Sequence, residues 1–103
     1  MADLKLRRDH NLGHARARKV ALKWAEHVEK KLEMECTLIE GDTEDVLEFR
    51  RSGVDGQMIV AADHFDLEAR LGLMFRPFLG MIEAETRKQL DEALAKEMAK
   101  SSK

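Results

Sequence analysis

Between Leu71 and Ile82 the chain places eight large apolar side chains in twelve positions, broken only by Gly72, Arg76, Pro77 and Gly80. In a chain with 37% charged residues, such density means burial or a partner. One helical stripe cannot absorb all of it. At about 100° per residue, Phe75, Phe78, Leu79 and Ile82 share a face that Thr86, Leu90 and Ala93 continue. That face is expected to be core. Met74, Pro77 and Met81 fall on a flank beside it, and Leu73 points away. Methionine is soft and adaptable, which suits a surface meeting an apolar partner. Leu73, Met74, Pro77 and Met81 are therefore the candidate partner surface.

The chain of 103 residues is expected to form one domain over 1–103, with a polar tail fraying from about residue 96. No run approaches the roughly 20 apolar residues needed to span a bilayer. The stretch Met1-Ala2-Asp3-Leu4-Lys5 lacks the charged-then-apolar pattern of an export signal. Cys36 is the only cysteine, so no internal disulfide forms, in keeping with a reducing cytoplasm.

The net charge of −2 hides an asymmetry. Residues 1–31 carry nine Lys/Arg against four Asp/Glu (+5), and residues 32–103 carry nine against sixteen (−7). One end can attract anions.

Local patterns divide the chain. Leu4 and Leu6 alternate with Lys5 and Arg7, a half-buried strand from Asp3 to Arg8. Asn11 is a candidate cap for a helix from about Leu12 to Leu32, with Ala17, Val20, Ala21, Trp24, Val28 and Leu32 on its apolar face. Strand-like runs follow at Glu35–Glu40, Val46–Arg51, Gln57–Ala62 and Phe65–Leu71. Gly41–Glu44, Ser52–Gly56 and Asp63-His64 read as the turns between them. A last helix begins between Leu73 and Pro77, since proline is tolerated in a first turn. The expected fold is α+β: an antiparallel sheet with two long helices on one face, in the order β-α-β-β-β-β-α.

His10-Asn11-Leu12-Gly13 with Ala17-Arg18, Gly53-Val54-Asp55-Gly56-Gln57-Met58-Ile59-Val60, Leu71-Gly72, and Ile82-Glu83-Ala84-Glu85 leading to Leu90-Asp91 carry a resemblance. Over roughly residues 3–94 the chain resembles the polyhydroxyalkanoic acid system proteins, small bacterial proteins named for genes near granule-polymer clusters. The resemblance implies association with polyester storage granules or their synthesis. It carries over no catalytic residue. The second half also resembles helix-grip lipid-binding folds in topology.

Chemistry-bearing motifs are sparse. His10 and His14 stand four apart, but a break between strand and helix spoils their spacing as metal ligands. His10 is expected to bond a backbone group with its ring. Cys36, between Met34 and Leu38, reads as a small core hydrophobe. Asp66 and Glu68 share an outward strand face, with Asp63 nearby, and read as solvated carboxylates. Gly53 and Gly56 make no phosphate loop, because no helix start or Lys-Ser/Thr pair follows. Arg16, Lys19, Lys23 and Lys30, with Arg7 and Arg8 nearby, form a basic stripe on the first helix that could track phosphates. Glu26 and Glu29 interrupt it, and no exposed aromatic residue accompanies it for base stacking.

The sequence thus favours a cytoplasmic, non-enzymatic accessory of polyhydroxyalkanoate storage. It would need no metal, cofactor or catalytic residue, and would meet a granule, a granule protein or a second copy through its apolar segment. One rival is an RNA- or ribosome-binding module using the basic helix face. The other is a carrier or enzyme with a lipid-like ligand beneath the last helix. A cavity lined by Phe65, Phe75 and Phe78 would mark the carrier; exposed Met74 and Met81 without a cavity would mark the granule-binding surface.

Overall fold

The structure, a computed structural model, describes residues 3–101. Residues 102 and 103 of the expected polar tail lie outside them. Strand β1 (Leu4–Asp9) leads into helix α1 (His14–Leu32). Strands β2 (Glu35–Ile39), β3 (Glu44–Arg51), β4 (Val54–Ala61) and β5 (His64–Leu71) follow as a meander. A single 3₁₀ turn, Arg76–Phe78, precedes helix α2 (Leu79–Ser101). The sheet is antiparallel throughout, in the order β1-β5-β4-β3-β2. Element order and fold class are those expected from the sequence.

Alternation decides which face of the sheet is covered. Leu4 and Leu6 lie opposite Ala69 and Leu67 in the β1–β5 register, and all four are buried. Met58 and Val60 of β4 and Leu47 and Phe49 of β3 continue the same layer. Ala17, Val20, Ala21, Trp24, Ala25 and Val28 of α1 pack into that layer, with Leu90 and Leu94 of α2. Both helices therefore lie on one face. Trp24 meets Phe49 edge-on, ring centroids 5.5 Å apart.

Three local readings are corrected. Helix α1 starts at His14, with Gly13 rather than Asn11 at its N-cap, and no side chain caps it. Gly13, at φ 86°, donates its N–H to the Ala62 carbonyl at 3.0 Å. This ties the helix start to the β4–β5 turn, and Leu12 is buried ahead of the helix. The second hairpin turn is only Ser52-Gly53, with Arg51 paired to Val54. Gly53, at φ 85°, takes the second turn position in the left-handed region that glycine enters without strain. Gly56 is a mid-strand residue, not a turn. A Cβ there would come within 2.8 Å of the Phe49 ring and 2.5 Å of the Glu68 carbonyl oxygen, so glycine makes room for the aromatic core.

The third correction concerns the apolar face of the last helix. Pro77 does sit in the first, 3₁₀ turn. However, Phe78 is 51% exposed, and Phe75, Leu79 and Ile82 are only half-buried. The first fully buried residue of α2 is Leu90. The expected core stripe packs down only in its second half.

Candidate functional site

The segment joining β5 to α2 is fixed by backbone hydrogen bonds. Gly72 N–H donates to the Gly53 carbonyl at 2.8 Å, and Phe75 N–H to the Gly72 carbonyl at 3.0 Å. The Asp3 carboxylate accepts from Leu71 N–H at 2.9 Å and lies 3.4 Å from the Arg76 guanidinium. The Phe75 ring fills the space over Gly53, where a Cβ would come within 2.7 Å of it. Its face lies beneath the Arg51 guanidinium, 5.6 Å from the ring centroid, a cation–π geometry. Arg51 in turn donates to the Leu32 carbonyl at the end of α1, at 2.7 Å. Two segments that carried the family resemblance, Gly53–Val60 and Leu71-Gly72, meet at this anchor.

With the backbone so held, the neighbouring apolar side chains project outward. Leu73 and Met74 are each 83% exposed and Met81 is 69% exposed; Pro77 is exposed as well. The candidate partner residues thus share one end of the molecule with the half-exposed Phe78.

Beneath the start of α2 lies an apolar cavity of about 790 Å³. Trp24 and Val28 of α1, Phe49, Leu67 and Leu71 of the sheet, and Phe75, Phe78, Met81 and Ile82 line it. Phe65, expected among its walls, is instead sealed in the core, where its ring meets that of His10 at a tilt of 44°, centroids 4.5 Å apart. The structure therefore combines two features that the sequence reading treated as alternatives: an apolar cavity, and exposed Met74 and Met81.

The basic stripe is distributed differently. Arg16 is committed to Glu97 of α2, donating from Nε to Oε1 at 3.3 Å and from Nη2 to the backbone carbonyl at 2.8 Å. It joins the helices rather than offering a free charge. Lys19, Lys23 and Lys30 are exposed along α1.

One polar cluster escaped sequence reasoning. Asp45, at 0% exposure, is buried at the start of β3. Arg18 donates to both its oxygens, at 2.6 and 3.1 Å. The Gly41 N–H donates at 3.0 Å, and His14 Nε2 lies 3.0 Å away. The Arg18 hydrogen bonds, against the opposing effect of burial, hold the Asp45 carboxyl down at about 2. An inward alternation position holding a carboxylate, with an arginine on the facing helix, was the available signal. It was obscured by the adjacent turn residues.

The remaining candidates do not gather into a reactive site. His10 Nδ1 accepts from Leu12 N–H at 3.1 Å, the backbone bond expected of it, and burial pushes its imidazole below the ordinary value. Cys36 is half-buried with its Sγ 4.0 Å from the Ala25 carbonyl. Burial pushes its thiol up to about 11, which works against thiolate chemistry. Asp66 and Glu68 face outward from β5, where Lys5 lies 3.9 Å from Glu68. Among the described residues, no group of three or more His, Cys, Asp or Glu side chains is placed to hold a metal ion. Nor is any helix among them long and apolar enough to cross a membrane.

A family model described as "Putative polyhydroxyalkanoic acid system protein" matches residues 4–94. No curated protein and no solved structure matches the chain.

Proposed function

The chain belongs to the polyhydroxyalkanoic acid system protein family, and on that premise we propose that it is a non-enzymatic, cytoplasmic accessory of polyester storage that docks on the granule surface. The observation that carries this reading is the apolar end of the molecule. Leu73, Met74, Phe78 and Met81 are all more than half exposed within nine residues, on a backbone pinned to Gly53 and Asp3. Exposed apolar side chains clustered in this way mark interaction surfaces, and a polyester granule presents a matching apolar face.

Leu73→Lys with Met74→Lys tests the docking reading. Both side chains lie outside the cavity lining, so folding stability should change by no more than about 0.5 kcal/mol per site. Co-sedimentation with isolated polyhydroxyalkanoate granules should fall steeply, because a lysine at an apolar contact must be desolvated. Unchanged co-sedimentation of the folded double variant would refute granule docking by this surface. Loss of self-association alone would assign the patch to a second copy of the chain. Phe75→Ala serves as the unfolding control, since Phe75 is wedged against the Gly53 turn.

A further inference from the structure

We infer that the cavity beneath the start of α2 is a binding site for a single aliphatic chain ending in a carboxylate. This inference rests on the cavity and its rim, not on the docking reading. The volume, about 790 Å³, lies within the roughly 300–1,000 Å³ of small-molecule sites. Every fully buried residue of the lining is apolar, Trp24, Phe49 and Leu67 among them. The interior therefore accepts hydrocarbon and offers no charged side chain to a polar body.

The charged side chains of the lining, Lys31, Arg51 and Glu85, are all exposed or partly exposed, and they are unevenly placed. Lys31 and Arg51 both line the cavity. They belong to one edge, because Arg51 donates to the carbonyl of Leu32, the residue after Lys31. Arg51 spends one nitrogen on that carbonyl and keeps further N–H donors. From α2 the lining receives Glu85 and Gln89. An anionic head group is thus drawn to the α1–β3 edge while its tail enters between sheet and helices. The helix above can accommodate it: no residue of α2 before Leu90 is fully buried.

Trp24 is the only tryptophan and there is no tyrosine, so the lining contains its own reporter. The experiment titrates the full chain with 10-bromodecanoate, whose bromine quenches indole fluorescence on contact. Saturable quenching is expected below the concentration at which the probe aggregates. Its alcohol, 10-bromodecanol, should bind about tenfold more weakly, the scale of one lost hydrogen bond to a charged group. Lys31→Glu should lower the affinity for the acid and leave that for the alcohol unchanged. Thr86→Phe fills the cavity from α2 and Val54→Phe fills it from β4. Whichever keeps a cooperative melt should abolish saturable quenching and still co-sediment with granules. Conversely, the Leu73→Lys, Met74→Lys variant should still be quenched. Linear, unsaturated quenching that survives cavity filling would overturn the assignment of the site. Equal affinity for acid and alcohol would overturn the carboxylate head group.

Discussion

Removing the charge of Asp45 should destabilise the protein more than most single substitutions, and in a manner that depends on pH. The carboxylate is wholly buried and held by three hydrogen bonds from Arg18 and Gly41. Its folded-state value of about 2 compares with an ordinary 3.8. At about 1.4 kcal/mol per unit, the difference corresponds to about 2–3 kcal/mol. Because the folded value is depressed, this stability is fully present above the ordinary carboxylate range. It is lost as pH falls from there through about 2. Asp45→Asn keeps the shape and removes the charge. Its unfolding free energy at neutral pH should drop by about 2–4 kcal/mol, with a shallower acid limb. Arg18→Met should cost at least as much, since it leaves a buried carboxylate uncompensated. Joining Arg18→Met to Asp45→Leu should recover much of the loss, because two apolar side chains leave no charge stranded. Urea unfolding across the acid range, read as a double-mutant cycle, measures all three. A loss below about 1 kcal/mol for Asp45→Asn, or an acid limb as steep as that of the parent, would refute the reasoning.

Two further outcomes follow from local geometry. Gly56→Ala should lower thermal stability by about 1–3 kcal/mol, because its methyl group would press on the Glu68 carbonyl oxygen and the Phe49 ring; an unchanged melting temperature would contradict the close packing there. Cys36, with its thiol pushed up to about 11, should react with a thiol reagent far more slowly in the folded protein than in urea at neutral pH. Equal rates would place the sulfur in open solvent.

The sheet and α1 were legible because their patterns are simple. Leu4 and Leu6, Leu47 and Phe49, and Phe65 through Leu71 alternate, and α1 carries one apolar stripe. Gly56 misled because glycine within a strand and glycine in a turn look alike in sequence; only the position of the Phe49 ring separates them. Asp45 was illegible for a related reason. A buried carboxylate becomes intelligible only once Arg18, 27 residues away, is seen beside it. The dense apolar segment was conspicuous in the sequence, and Leu73, Met74, Pro77 and Met81 within it are exposed. Composition could not reveal that Phe75 and Phe78 line a cavity, or that Ile82 lines it while only partly packed against the core.

The pairing of β1 with β5 has a consequence for biosynthesis. Strands β2 to β5 find their neighbours through short turns, but the hydrogen bond from Leu71 to Asp3 joins residues 68 apart. Strand β1 leaves the ribosome ahead of the other four and is the last of the five to be partnered, so the nascent chain carries Leu4 and Leu6 unpaired until β5 has emerged. Once β5 has formed and until β1 docks on it, the free margin of β5 can recruit a stray strand from another molecule. The outward side chains limit this hazard. Lys5 lies opposite Glu68 and Arg7 opposite Asp66 in the native register, so a strand that slips, or that comes from elsewhere, forfeits the charge match. These surface pairs contribute little to the finished fold; their value is in selecting the correct strand while the chain is still being made.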